Sequence, residues 1–496
     1  MKPVQFSRQP KLNCVQAADE DLEVNPSQSS TDDHENVVTM YSTYALNTDP
    51  IDSDKATEIK MLDFSRPHMR AFHFSWFGHF LSFAMWYAIV PLLPEIMETL
   101  GVSKEQIWTS TISSLLGSMV LRCTLGPLCD RYGARIPMCL LLLCSAIPVA
   151  CLGLVHSVEG LYYLRFFIGF AGGAFVLNMC WCTHMFTKQV CGTANGFAAG
   201  WGNVGIGASI LVTGSVLFPL FKLGMSTELA WRTVCIVPAF ISTIFAIVLV
   251  IFSDDCPKGN YYSSKAKKSR PHNQTSTIPR QVTGWSGIAN CNTWLLFLQY
   301  AGCFGVELTV NNAAALYYKN EFNVSTEKAA AIASIFGLMN IFSRGLGGIC
   351  SDSVYRNFGM RGRLWLQAAL LFVEGLLIFS FIHTKILGLS IFILMLFAVS
   401  AQMTAGSSFG IAPYINPNAS GTVTGMIGAA GNVGAICFGL IFRSMDFYWS
   451  FIIMGCCVIM SSFTCSLMYI PPHGSCSHSL SEMAIDLTEN FTEQNN

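Results

Sequence analysis

The sequence predicts an all-α membrane protein of twelve transmembrane helices arranged as two pseudo-symmetric six-helix halves. Three observations carry that prediction. Of the 496 residues, 52% are hydrophobic and only 12% are Asp, Glu, Lys or Arg, about half the charged share of an ordinary soluble protein. Apolar stretches long enough to cross ~30 Å of hydrocarbon recur from Ala71 onward. One long polar connection then divides them six and six, and motifs of the first half return in the second. The formal net charge of -1 gives no basic excess for nucleic acid and no acidic excess for a cationic partner. Function therefore lies inside the bilayer, and chemistry on a substrate is not expected.

Residues 1–70 are polar, with acidic clusters at Asp19-Glu20-Asp21 and Asp32-Asp33, and read as a disordered tail without a cleavable signal peptide. The first half, 71–253, holds apolar spans at about 71–97, 107–129, 136–155, 161–184, 193–220 and 233–253. A basic linker follows at 254–290, carrying Lys258, Lys265, Lys267, Lys268, Arg270 and Arg280, with Asp254 and Asp255 as a solvated exit from the sixth span. The second half, 291–470, holds spans at about 291–316, 328–352, 364–382, 386–410, 421–443 and 447–470, and a polar tail closes the chain at 471–496. Basic residues also mark the approach to the first span (Lys55, Lys60, Arg66, Arg70) and the loops after the second (Arg131, Arg135) and eighth (Arg356, Arg361, Arg363). The positive-inside rule then places both termini in the cytoplasm. The glycosylation sequon Asn323-Val324-Ser325, between spans seven and eight, falls outside. Most of the 19 cysteines sit in or at the ends of apolar runs, where a thiol is a small hydrophobe, and none stands at metal-ligand spacing. No metal and no cofactor is expected.

An internal repeat is the strongest signal. Arg122-Cys-Thr-Leu-Gly126-Pro-Leu-Cys-Asp130 ends span two, and Arg344-Gly-Leu-Gly-Gly348-Ile-Cys-Ser-Asp352 ends span eight, with Arg, Gly and Asp at identical spacing. Gly202-Asn203-Val204-Gly205 in span five returns as Gly431-Asn432-Val433-Gly434 in span eleven, at nearly the same offset. Duplicated six-helix halves place a substrate site between them near the midplane, opened alternately to each side.

Arg122 and Arg344 stand about two turns inside their helices, where a cation facing lipid costs several kcal/mol. Two cations facing each other across a pseudo-two-fold axis repel unless an anion lies between them. A planar guanidinium fork matches a planar oxyanion through paired hydrogen bonds. With no acid expected nearby, the pair favours a monovalent or divalent oxyanion, without distinguishing nitrate from sulfate or phosphate. Asn203 and Asn432, amides at the same repeat position, and Asn340, one turn before Arg344, are the further substrate-binding or gating candidates. His73, His79 and His184 read as structural residues near helix ends. Trp76, Phe83, Trp86, Phe166 and Phe175 are candidates for closing apolar gates.

The segment Gly126 to Arg135, with Asp130 and Arg131 inside it, resembles the loop motif of the major facilitator superfamily between its second and third helices. The resemblance implies the major facilitator fold and a gate that locks one conformation, with Asp352 and the arginines after it as the second copy. Phe72-His-Phe-Ser-Trp76, Leu164 to Phe170, Ala199 to Gly205, Cys303 to Thr309, Gly337 to Gly348 and Gly428 to Gly434 resemble the nitrate/nitrite porter family, in its eukaryotic high-affinity branch. That resemblance implies a plasma-membrane importer of nitrate, and of nitrite, working by alternating access. It places Arg122 and Arg344 where the family's substrate arginines stand. It also implies proton symport, with nitrite/nitrate exchange as the alternative mode, and, for some relatives, a single-span accessory protein. Glu307 in span seven is the candidate for carrying the coupled proton. The competing readings are a carrier for another small inorganic or organic anion, and a nitrate receptor with little transport.

Overall fold

The computed structural model describes residues 44–50, 52–259, 285–416, 420–470 and 474–475. In the first half α1 (His68–Leu100), α2 (Lys104–Tyr132), α3 (Arg135–Leu154), α4 (Val158–Met185), α5 (Lys188–Leu211, prolonged through a π turn to Lys222) and α6 (Thr227–Phe252) follow one another through short turns. The second half holds α7 (Cys291–Phe322), α8 (326–358), α9 (360–383), α10 (Leu387–Ile415), α11 (Ser420–Ser444) and α12 (Phe447–Leu467). Among the described residues ten helices are long and apolar enough to cross a membrane. One of them, Thr326–His383, has 58 residues, about 87 Å of helix at ~1.5 Å per residue. It turns back at Gly359, whose φ of 63° with ψ of −155° is open to glycine and strained for residues with a Cβ. That break makes two spans of one run, and α2 completes the twelve.

The helices start earlier than their apolar stretches do. Ser103, Ser157, Ser226 and Ser325 cap α2, α4, α6 and α8 by accepting the backbone N–H of the third helical residue. Each is followed two positions on by an acid, Glu105, Glu159, Glu228 or Glu327, where the helix dipole favours negative charge. All four starts lie at one end of the bundle, called the far end below. The opposite, tail end carries residues 45–67 and the exit of α6.

The repeat has a physical counterpart in packing. In the first half Gly202 lies against the His79 ring and Gly205 against the Phe80 backbone of α1. In the second, Gly431 lies against the Phe304 ring and Gly434 against the Ala301 backbone of α7. A side chain at any of the four would drive the helices apart.

Two expectations need correction. The polar tail does not reach residue 70 unstructured, because α1 begins at His68 and a hairpin pairs Thr48 with Ala56 and Asp49 with Lys55. Leu46 and Ala56 are buried, and the Thr187 N–H donates to the Ala56 carbonyl at 3.0 Å. Nor is the exit of α6 solvated. Asp255 is 3% exposed and accepts the N–H groups of Ala134 and Arg135 at 3.0 and 3.1 Å, capping α3. Burial pushes its carboxyl up from the ordinary aspartate range, so those two amides, in place of water, hold its charge. Asp254 takes a two-point bond from Arg66, at 2.8 and 2.9 Å.

Candidate anion site

α2 carries a buried polar stripe of Thr111, Ser114, Ser118 and Arg122. Their spacing of three, seven and eleven residues keeps all four on one helix face. Arg122 is 4% exposed. Its Nε donates to the Gly172 carbonyl at 3.0 Å and its Nη1 to the Gly428 carbonyl at 2.7 Å. The first acceptor is offered by a 3-10 turn, Phe170–Gly173, inside α4. The second belongs to α11, so this guanidinium bridges the halves.

Arg344, 1% exposed, sits just after a 3-10 turn, Met339–Ile341, that interrupts α8. The two guanidinium carbons stand 5.5 and 5.2 Å from one ring centroid, that of Phe304, and Arg122 is also 5.3 Å from Phe175. The arginines therefore converge on one aromatic partition and do not point apart toward headgroups. Tyr300, one turn before Phe304, stands in the field of both arginines.

The expectation of no nearby acid is overturned. Glu307, fully buried, accepts from Arg344 Nη2 at 2.9 Å. Its other oxygen accepts from Asn340 Nδ2 at 2.8 Å and from Asn203 Nδ2 at 3.3 Å. Two predicted contacts thus converge on a carboxylate that sequence reading set apart as a proton carrier. The third, Asn432, donates to Ser118 Oγ at 3.0 Å. Ser118 precedes Arg122 by one turn, just as Asn340 precedes Arg344, so each repeat asparagine reaches across into the opposite half.

Among the described residues Nη2 of Arg122 and Nε2 of His79 are buried without a partner, and Arg344, with Nη2 on Glu307, has only the Tyr300 hydroxyl beside its remaining donors. Orphaned buried donors are costly, and a planar oxyanion supplies acceptors for several of them. His79 corrects its reading as an end-of-helix structural residue. Its Nδ1 pairs with Asn178 Nδ2 at 3.1 Å, it packs 5.9 Å from Phe175, and both arginines act on it. Two arginines and one acid, Glu307, thus meet at this centre.

Of the loop motif, the side chains of Asp130 and Arg131 lie outside the described residues. Gly126 has open space where a Cβ would stand. Arg135 Nη1 donates to the Ser253 carbonyl at 3.0 Å. In the second copy Asp352 pairs with Arg363 at 2.6 Å, and Arg363 also reaches the Gly410 carbonyl and covers the Tyr355 ring. Of the aromatic gate candidates, Phe175 faces the site, whereas Trp76 packs on His73 and Trp201, and Phe166 on Phe167 and Phe170. Phe304 and Tyr300 went unsingled in the sequence. The spacing Tyr300, Phe304, Glu307 on one face of α7 was the available signal.

The halves are joined at the far end by Lys319 with Glu98 at 3.0 Å and Glu95 at 3.7 Å, and by Thr326 Oγ1 donating to Glu95 at 2.7 Å. Toward the tail end, Gly126, Gly192, Gly196, Gly348 and Gly425, on α2, α5, α8 and α11, have no atom within 4 Å of a would-be Cβ.

Residues 75–439 match the family described as Major Facilitator Superfamily. The high affinity nitrate transporter 2.5 of Arabidopsis thaliana is 36% identical over 429 residues, covering 86% of this chain and 84% of the relative. The nitrate/nitrite transporter NrtP of Nostoc punctiforme is 25% identical over 484 residues, covering 84% of this chain and 95% of its own. A solved bacterial homologue of the human lysosomal transporter Spinster, inward-facing and unoccupied, superposes with a TM-score of 0.62 at 14% identity, covering 81% of this chain and 96% of that one. At that identity the likeness speaks for the fold.

Proposed function

Because the chain belongs to the major facilitator superfamily and, within it, to the family of the high-affinity nitrate transporters, we propose that it imports nitrate, and accepts nitrite, by alternating access coupled to protons. It is a carrier and not an enzyme, as the family is. One observation carries the substrate: two guanidinium groups, one from each half, share the Phe304 ring and keep buried donors open between them. Both nitrate and nitrite are planar and rich in acceptors, as those donors require.

Glu307 supports the coupling. While ionised it occupies Arg344 and competes with an anion for that guanidinium. A proton on Glu307 weakens the pair and frees Arg344 for nitrate, so proton and anion load together. A negative membrane potential opposes anion entry by about 2.3 kcal/mol per charge per 100 mV, and a proton travelling with the anion removes that opposition. We assign the tail end to the cytoplasm of a plasma-membrane protein, from the positive-inside pattern. The far end, joined by Lys319, Glu95, Glu98 and Thr326, is then the closed outer side, and the glycine-lined approach is the inner one.

The test is uptake of 15N-labelled nitrate by a nitrate-uptake-deficient cell expressing the chain, at several external pH values and against excess chloride, sulfate, phosphate and formate. Uptake that rises as external pH falls, and that nitrite inhibits more strongly than sulfate or phosphate does, is expected. Sulfate inhibiting as well as nitrite would overturn the planar-anion reading, and pH-independent uptake the coupling.

A further inference from the structure

Arg165 is a further buried arginine, and the mechanism above leaves it unused. It lies on α4, is 1% exposed, and its Nη1 donates to Ser110 Oγ at 3.3 Å and to Thr111 Oγ1 at 3.1 Å. Its Nε is buried without a partner, and no carboxylate pairs with it among the described residues. An arginine keeps its charge in proteins, and an uncompensated buried cation is unfavourable unless an anion shares its site.

Packing does not account for it. α2 and α4 already meet backbone to backbone, Gly117 against the Phe166 carbonyl and Gly169 against the Ser114 carbonyl. No cation is needed to hold them. Among the described residues the repeat-related half manages without one: its buried arginines are Arg344, paired with Glu307, and Arg363, paired with Asp352.

Its position is informative. Thr111, which Arg165 touches, opens the polar stripe that runs through Ser114 and Ser118 to Arg122, about 16 Å along α2 at ~1.5 Å per residue. The group facing Arg165 from α1 is Tyr87, which is acted on by Arg165, Arg122 and Glu307 together. The Tyr87 hydroxyl accepts from Asn312 Nδ2 of α7 at 3.3 Å, so this ring stands at the seam between the halves. Arg165 thus lies behind the seam, on the far side of the central pair, joined to it by a buried line of hydroxyls.

We propose that Arg165 forms a second anion site, a far-side position for a small monovalent oxyanion, which the substrate occupies before it reaches Arg122 and Arg344. The site uses the Nε side of the guanidinium, with Ser110 and Thr111 fixing its other edge. This rests on the nitrate-transport reading.

Equilibrium dialysis of the purified full chain against 15N-labelled nitrate counts the anions bound. Two per wild-type chain are expected, one in Arg165→Gln and one in Arg122→Gln. One per wild-type chain, or two in Arg165→Gln, would overturn the second site while leaving the transport reading intact. A wild-type chain that binds no nitrate would sink both. Should Arg165→Gln prove aggregated, Arg165→Lys decides: it keeps the charge but loses the fork, so two anions are expected with the weaker one loosened about tenfold. A wild-type curve from Arg165→Lys would assign Arg165 to folding and overturn the proposal.

Discussion

Arg344 is held by an acid and Arg122 by two carbonyls, so the two arginines are not equivalent despite their repeat. Replacing either by lysine keeps the cation but removes the fork, and a charge-assisted hydrogen bond is worth about 1.5 to 3 kcal/mol. Arg122→Lys and Arg344→Lys are therefore expected to raise the KM for nitrate roughly 10- to 100-fold, with the protein still at the membrane; uptake kinetics with surface labelling check both together. Glu307→Gln imitates the protonated acid. It is expected to leave nitrate bound at neutral pH and to flatten the dependence of uptake on external pH, whereas a persisting rise toward acid would place the coupled proton elsewhere. The arginines were legible because an ionic residue inside an apolar run stands out, twice at one spacing. Their acid partner was not, because Glu307 is 37 residues from Arg344, on a helix whose facing neighbours one sequence does not reveal. Phe304 was hidden for a simpler reason: it is one of 36 phenylalanines.

At the scale of elements, apolarity located the spans and misplaced their starts. Serine followed by an acid two positions on marks α2, α4, α6 and α8, beginning two to six residues before the apolar stretches at 107, 161, 233 and 328. Those first turns are polar because they stand at the membrane surface, so hydropathy passes over them while capping chemistry marks them. The glycines divide along physical lines as well. A Cβ at Gly205 meets the Phe80 backbone, which cannot yield, whereas one at Gly126 meets open space. Gly205→Ala is expected to lower the thermal unfolding temperature of the purified chain by several degrees, and Gly126→Ala to leave it unchanged or slightly raised, since alanine is favoured over glycine in a helix by about 1 kcal/mol. Equal losses from both would dissolve the distinction between tight and open glycine positions. Asn323, exposed at the far end between α7 and α8, tests sidedness. A glycan on it in a eukaryotic host, lost in Asn323→Gln as a mobility shift, is expected if that end faces outward.

Over the whole molecule, alternating access requires two conformations of nearly equal free energy, so the contacts closing one side must be weak enough to release. The far-end pairs fit that requirement. Lys319 and Glu98 are partly exposed, and such pairs contribute about 0.2 to 1 kcal/mol each, a shift of severalfold in population at most. The central Arg344–Glu307 pair is buried and, on the proposed reading, belongs to the substrate site; the latch is the far-end group of Lys319, Glu95, Glu98 and Thr326. Lys319→Glu removes two attractions and sets a third carboxylate beside Glu95 and Glu98. It is expected to favour the form open at the far end, and a thiol placed at Thr111, buried while that end is closed, reports the change. A membrane-impermeant reagent added outside should label Thr111→Cys several times faster in the Lys319→Glu background. Adding Glu98→Lys, which restores one opposite-charge pair, should return the rate toward that of Thr111→Cys alone. Labelling that ignores both substitutions would mean that helix packing, as between Gly207 and Gly337 of α5 and α8, sets the balance and that the surface charges only follow it.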